Sequence, residues 1–233
     1  MKTIKHTVVP AILTLMMFFN TPVIHAAGSG GGGGSLSVPS TNSRALTPDQ
    51  LSDKAMRAGI RERDRALKQE ARAAKAKTDK KRDKALAKAK KHYDKAANKQ
   101  REAVQLNPRN YKALNEWGYA LRKTGDYRKA IGAYNLALEI NPNFHQATEY
   151  RGEAFLALGY LNETKQSYMV LFRNDRELAA QLMQTMQDWV NAKSKPESVV
   201  TTEEEVEFIA WIEERAKLAK IANDLSANNT RVW

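Results

Sequence analysis

The feature that most constrains the fold is a pair of short amphipathic segments within residues 111–144, separated by a turn. Apolar side chains of the first segment recur every three or four residues, which puts them on one face of a helix. Gly125 can adopt the left-handed conformation that ends a helix, and Asp126 can cap the next one. The second segment ends at Asn141-Pro142, because a proline ring disfavours helical geometry at the residue before it. The sequence therefore predicts a helical hairpin.

Small residues, aromatic residues and prolines of this hairpin recur at a shift of 34 residues. The matching pairs are Ala96 and Ala130, Pro108 and Pro142, Gly118 and Gly152, Gly125 and Gly159, and Tyr134 and Tyr168. A hairpin of this size cannot bury both of its faces alone, so stacked neighbouring copies are expected.

The unit resembles the tetratricopeptide repeat, whose pattern is Trp-x2-Leu-Gly-x2-Tyr, then Ala-x3-Phe, then Pro. A second copy over residues 145–178 is degenerate, and an upstream copy keeps only its second half. The resemblance implies an all-α fold: a short α-solenoid preceded by a long basic helix and followed by capping helices. The residues expected to form the scaffold are Leu114, Trp117, Gly118, Leu121, Ala130, Tyr134, Ala137, Pro142, Gly152, Phe155 and Tyr168.

The same resemblance implies a protein–protein interaction adaptor or scaffold, because the first helices of such repeats line a concave groove that takes peptides or partner helices. The Lys/Asn set by which some members clamp a terminal carboxylate is not reproduced. The side chains expected to line the groove have mixed charge and suit a polar segment of an unidentified partner. They are Lys112, Asn115, Tyr119, Arg122, Gln146, Glu149 and Glu153.

The formal net charge of +12 is concentrated before the repeats. Residues 54–103 contain 19 Lys or Arg and 7 Asp or Glu, and the chain beyond them is close to neutral. Thr47, Pro48 and Gln50 form a helix-start signal, and no proline follows before Pro108. The pattern predicts one long basic helix over residues 47–92, with a thin alanine seam typical of a weak coiled coil.

Two interpretations of this basic helix stay open. It is either a solvated arm that acts as a spacer, or an arm that binds a polyanion such as lipid or polysaccharide phosphate. Nucleic acid becomes a candidate only if the chain is not exported. The residues expected to contact an anion are Arg72, Lys77, Lys80, Lys81, Lys84 and Lys88.

The amino terminus has the pattern of a secretory signal over residues 1–27: Lys2 and Lys5, a mostly apolar stretch, and a small-residue cleavage site. An uncleaved membrane anchor is the alternative, although the apolar run is interrupted by prolines. A Gly/Ser-rich linker follows over residues 28–46. This pattern predicts a periplasmic or secreted protein, with at most peripheral membrane contact once the signal is removed.

The repeat domain, with its capping helix, is expected over residues 93–192. A linker over 193–201, an amphipathic helix over 202–226 that Thr202 and Glu205 open as a capping box, and a tail over 227–233 complete the chain.

No pattern of catalytic or cofactor chemistry stands out. The chain has no cysteine, and neither His92 nor His145 has a second ligand at a recognisable metal spacing. The sequence therefore predicts neither an enzyme nor a cofactor or metal protein.

Overall fold

The computed structural model describes residues 45–193 and 202–229. The predicted signal segment, nearly all of the Gly/Ser-rich linker, residues 194–201 and the last four residues lie outside this part of the chain. Across the described ranges the fold is all-α, as predicted. The helices are α1 Pro48–Ala74, α2 Asp79–Leu106, α3 Tyr111–Lys123, α4 Tyr127–Ile140, α5 His145–Ala157, α6 Leu161–Asn174, α7 Arg176–Lys193 and α8 Glu203–Asn229.

The prediction of one basic helix over residues 47–92 is wrong, because the structure divides this segment between α1 and α2, which pack against each other. Thr78 starts the second helix: its backbone is extended, and its side chain accepts a hydrogen bond from the Lys81 amide. The predicted boundary between residues 92 and 93 therefore falls inside α2. The two helices form a hairpin, which we call the basic hairpin.

The alanine seam is what brings the two arms of the basic hairpin together. Small side chains on both helices are buried at their contact, including Ala66 and Ala89. Two buried polar side chains bond across it to backbone carbonyls: Ser52 Oγ donates to Ala103 at 2.8 Å, and Gln100 Nε2 to Met56 at 3.1 Å. The alanine seam, which is too weak to stabilise a coiled coil, thus allows α1 and α2 of the same chain to pack closely against each other.

Gly59 marks the closest approach within this hairpin. A Cβ placed there would lie 2.4 Å from Nε2 of Gln100, the side chain that bonds to Met56. We expect Gly59→Ala to lower the free energy of unfolding by about 1–3 kcal/mol, the usual cost of overpacking. Gly132→Ala is the matched control: nothing lies within 4 Å of its Cβ position on α4, so higher helix propensity should raise stability by about 0.5–1 kcal/mol. Urea denaturation of both variants would contradict this expectation if their shifts had the same sign.

The repeat hairpins follow as the sequence predicts. Gly125 and Gly159 have φ angles of +91° and +74° at the two turns, and Asp126 caps α4 by accepting from the Lys129 amide. The carboxyl-terminal half of α2 packs on α3 as the second helix of a first hairpin. The apolar core between α3, α4 and α5 is made of Leu114, Ala130, Tyr134, Ala137, Ala147 and Ala154.

The degenerate second copy keeps the same packing with different side chains. Thr164 replaces the alanine of the first copy, is fully buried, and bonds through its hydroxyl to the Tyr160 carbonyl at 2.9 Å. Helices α7 and α8 cover this hairpin, as expected of capping helices, and add Leu182, Met186 and Phe208 to its core. Both hydrogen bonds of the predicted Thr202–Glu205 capping box are formed: each backbone amide donates to the side chain of the other residue at 3.2 Å.

Candidate protein-interaction groove

The first helices of successive hairpins adjoin one another: α1 packs on α3, α3 on α5, and α5 on α7. We call the surface that these four helices share the groove face. Charged side chains cross it between neighbouring helices. Arg63 Nη1 lies 2.5 Å from Glu116 Oε1, Lys123 Nζ lies 2.7 Å from Glu70 Oε1, and Arg122 is paired with Glu153. The groove face is therefore joined by a row of ion pairs.

Aromatic rings support the middle of this row. The rings of Tyr119 and Tyr150 lie 5.1 Å apart, and the Arg122 guanidinium lies 5.3 Å and 5.2 Å from their centroids. Cation–π attraction and the pairing with Glu153 fix this arginine in one orientation. Burial acts to lower the pKa of Arg122, but Glu153, Tyr134 and Glu149 together outweigh it, so that pKa is raised.

Glu149 lies behind this pair and is almost completely buried, with 2% of its surface exposed. Burial, followed by the neighbouring Glu153 carboxylate, raises the pKa of Glu149 to about 8, although Arg122 opposes the shift. Its Oε2 atom has no hydrogen-bond donor among the described residues. Burial and the Glu153 carboxylate therefore favour the protonated form of Glu149, which lies between the charges of α3 and α5.

The predicted groove residues divide into three groups by exposure. Lys112 and Gln146 are exposed, as surface contacts require. The partly buried residues are Tyr119, Arg122 and Glu153, and the buried ones are Asn115 and Glu149. Most of the residues predicted to line the groove thus pack between neighbouring helices, in addition to any contact with a partner. A role for these seven residues in binding stays a prediction.

Several residues of the groove face were missed from the sequence. Arg63 and Glu70 belong to α1, which was not recognised as the first helix of a hairpin. Tyr150 was also missed, although its spacing of four residues from Gln146, to which it is hydrogen-bonded at 3.1 Å, could have placed it on the predicted face.

A cavity of about 280 Å³ opens beside the Arg122–Glu153 pair. Tyr127 and Trp189 line it, together with Thr185 of α7, whose hydroxyl lies 3.3 Å from Glu153 Oε1. The cavity therefore combines two aromatic walls with a carboxylate and a hydroxyl, which suits one side chain of a docked segment.

The described ranges contain no group of three or more residues that could hold a metal ion. None of their helices has the length and apolar character needed to cross a membrane.

The fold and its groove face define a helical-repeat protein. Residues 111–144 match the family model described as "Tetratricopeptide repeat". The repeat predicted from the sequence is therefore confirmed over these residues: the chain contains a tetratricopeptide repeat, a unit that serves protein–protein interaction.

Two solved structures are similar to this chain. The NMR structure of the first TPR domain of human RPAP3 is 20% identical, with a TM-score of 0.45, over 63% of this chain and 99% of that domain. The first TPR of Spaghetti (RPAP3), bound to the HSP90 peptide SRMEEVD, is 24% identical, with a TM-score of 0.38, over 55% of this chain and 95% of that one. No curated protein sequence matches the chain.

Proposed function

We propose that this protein is an exported, non-catalytic adaptor that binds a peptide or helix of another envelope or secreted protein along the groove face. The observation that carries the proposal is the cavity between Tyr127 and Trp189, which opens where three first helices meet and lies beside polar atoms. Lys112 and Gln146 are exposed on α3 and α5 of the same face. An anchor side chain in the cavity, with polar contacts around it, is the usual arrangement of a binding hot spot.

The ion pairs across the groove face bear on what it can recognise. Arg63, Lys123 and Arg122 are each matched by an acid of a neighbouring helix. Because these charges are already paired, a partner gains little by adding its own. We therefore expect recognition to depend on the shape of the cavity and on hydrogen bonds, and affinity to change little with salt.

Site-specific photo-crosslinking tests the groove directly. A photoreactive residue in place of Gln146, on the groove face, is expected to crosslink a partner in the intact envelope. The same residue in place of Leu136, which is 46% exposed on α4, serves as the control. Lys112→Glu, at an exposed position on α3 of the same face, should then weaken the crosslink from position 146. Equal crosslinking at the two positions, or none at either, would contradict the proposal.

Export rests on the charged and apolar pattern of residues 1–27. A cleaved signal would leave a mature protein that begins close to residue 28, in the periplasm or outside the cell. The mass of the protein purified from cells decides this point, because an uncleaved anchor would keep the full-length mass.

The path of the basic hairpin argues against the spacer hypothesis. A spacer helix would separate the amino-terminal linker from the repeats. The hairpin instead returns on itself: Asp49, at the start of α1, lies 2.9 Å from Asn107, just beyond α2. The start of α1 therefore lies next to the end of α2, and the far end of the hairpin is its turn.

A further inference from the structure

The basic hairpin is longer than the repeat that it packs against. Helices α1 and α2 have 27 and 28 residues, whereas α3 has 13. Near the end of α3, Lys123 contacts Glu70 at 2.7 Å, and Tyr119 contacts Tyr93 with centroids 6.1 Å apart. Residues 71–92, which we call the hairpin tip, lie beyond these contacts. The part of α2 in the tip extends about 20 Å at 1.5 Å per residue.

A cleft of about 460 Å³ lies between the two arms of the hairpin tip. Three of its basic residues follow α2 at positions that share one face, spaced by three and four residues. Three more come from the end of α1 and the turn. The six are Arg72, Lys75, Lys77, Lys81, Lys84 and Lys88, and the remaining lining is Gln69, Ala76 and Ala85. No acid lines the cleft.

The acids of the tip lie elsewhere on α2. Asp79 and Asp83 both pair with Arg82, at 2.9 Å and 3.7 Å, and neither Arg82 nor these acids line the cleft. Within the described ranges, no ion pair involves any of the six cleft cations, although acids are present a few residues away. Both acids of the tip are therefore paired away from the cleft, and the six cleft cations have no acidic partner among the described residues.

This arrangement has an electrostatic consequence. A solvated helix needs only scattered charge, but six unpaired cations around one cleft repel each other and create a strongly positive local potential. The amino-terminal end of α2 adds the positive end of its helix dipole to the same place. An anion in the cleft relieves the repulsion, and one with several charges relieves it most.

We propose that the tip cleft binds a group of closely spaced phosphates, such as an oligophosphate or the neighbouring phosphomonoester headgroups of a lipid surface. The cations reach the cleft from two sides, so they surround a compact cluster of charges better than a single carboxylate. Lysine ammonium groups, which form five of the six, bind phosphate as point charges without demanding one geometry. Lys80 lies outside the cleft and Lys75 lines it, so Lys75 takes the place of Lys80 among the residues proposed to contact the anion. This site is separate from the groove face.

Calorimetric titration of the full chain with tripolyphosphate tests the proposal. The cleft variant, in which Lys81, Lys84 and Lys88 are all changed to Gln, removes three positive charges from the cleft. The control variant, in which Lys80, Lys90 and Lys91 are all changed to Gln, removes the same number of positive charges from exposed positions of α2 outside the cleft. We expect the cleft variant to weaken binding at least ten-fold and the control variant to stay within about three-fold of the parent. Circular dichroism checks that both variants keep their helices.

The outcomes are distinct. Equal weakening by both variants, or no binding of tripolyphosphate at low salt, would overturn the proposal. Cleft-dependent binding of duplex DNA without binding of tripolyphosphate would overturn it in favour of nucleic acid. If tripolyphosphate binds as expected, flotation with vesicles containing phosphatidic acid assigns the lipid source, and absence of flotation assigns the soluble one.

Discussion

Replacing Tyr134 with alanine is expected to lower the free energy of unfolding by about 3–5 kcal/mol, the usual loss for a large aromatic side chain removed from a core. The Tyr134 ring is fully buried. It fills the space that Gly118 leaves on the facing helix: a Cβ at Gly118 would lie 2.5 Å from the ring. Because α3 and α4 meet at this glycine and this ring, removing the ring leaves a cavity in the centre of the matched repeat. Urea denaturation followed by circular dichroism measures the loss.

Trp117→Ala is the informative comparison. The sequence predicts that Trp117 is a scaffold residue, and it does pack against the core of the repeat, but it remains partly exposed. Its truncation should therefore cost less than that of Tyr134, in proportion to the smaller apolar area withdrawn from water. A larger loss for Trp117 than for Tyr134, or a loss below about 1 kcal/mol for Tyr134, would show that the hairpins do not depend on this contact.

The repeat could be predicted from the sequence because its signals are local and direct. Gly125 needs a left-handed backbone, Asp126 caps a helix, and Pro142 ends one, so each fixes one point of the hairpin. The recurrence of these residues after 34 positions then predicts the stacking. The degenerate second copy also folds as predicted, since Thr164 can satisfy its own hydroxyl within its helix.

The division of the basic segment could not be predicted by the same reasoning. A stripe of alanines indicates a face of low volume, and that pattern is the same for one exposed helix and for two paired helices. The local signal for the break is Thr78-Asp79, a capping residue followed by an acid, which stands in a run of strong helix formers. Gly59 lies earlier in the same segment, and nothing in its sequence neighbourhood reveals that it is the point of closest approach to Gln100.

The burial of the groove residues depends on this missed hairpin. Position along α3 and α5 predicts which residues share a face, but not which of them are already paired. Glu116 is partly buried because Arg63 of α1 lies against it, and no spacing within the repeat reveals that partner. The sequence therefore indicates which positions of α3 and α5 share a face and leaves the ion pairs between neighbouring helices unseen, and a role for those positions in binding stays a prediction.

The second large effect that we expect is a dependence of stability on pH that Glu149 controls. Its pKa is raised to about 8 in the folded protein by burial and by Glu153, whereas an exposed glutamate has a pKa near 4.3. Between these values the folded state holds a proton that the unfolded state has lost. The stabilising contribution is therefore present in full below about pH 4 and is lost as pH rises towards 8, by at most about 1.4 kcal/mol per pH unit.

Glu149→Gln isolates this contribution, because glutamine keeps the shape of the protonated acid and cannot ionise. We expect the variant to be more stable than the parent at pH 8, by on the order of 2 kcal/mol, and to differ from it little at pH 5. The measurement is urea denaturation at half-unit steps of pH. Glu139→Gln, on the exposed surface of α4, controls for the change in net charge.

Two other carboxyl groups also make the stability of the protein depend on pH. Burial raises the pKa of Glu116 in spite of Arg63, so the parent loses stability in the same pH range for a second reason, and the difference between parent and variant is the relevant quantity. The pKa of Asp126 is lowered by its hydrogen bond from Lys129, so its contribution is lost only as pH falls through the acid range. A variant that follows the parent in parallel from pH 5 to pH 8 would show that Glu149 is ionised throughout, and that Arg122 serves both carboxylates across the groove face.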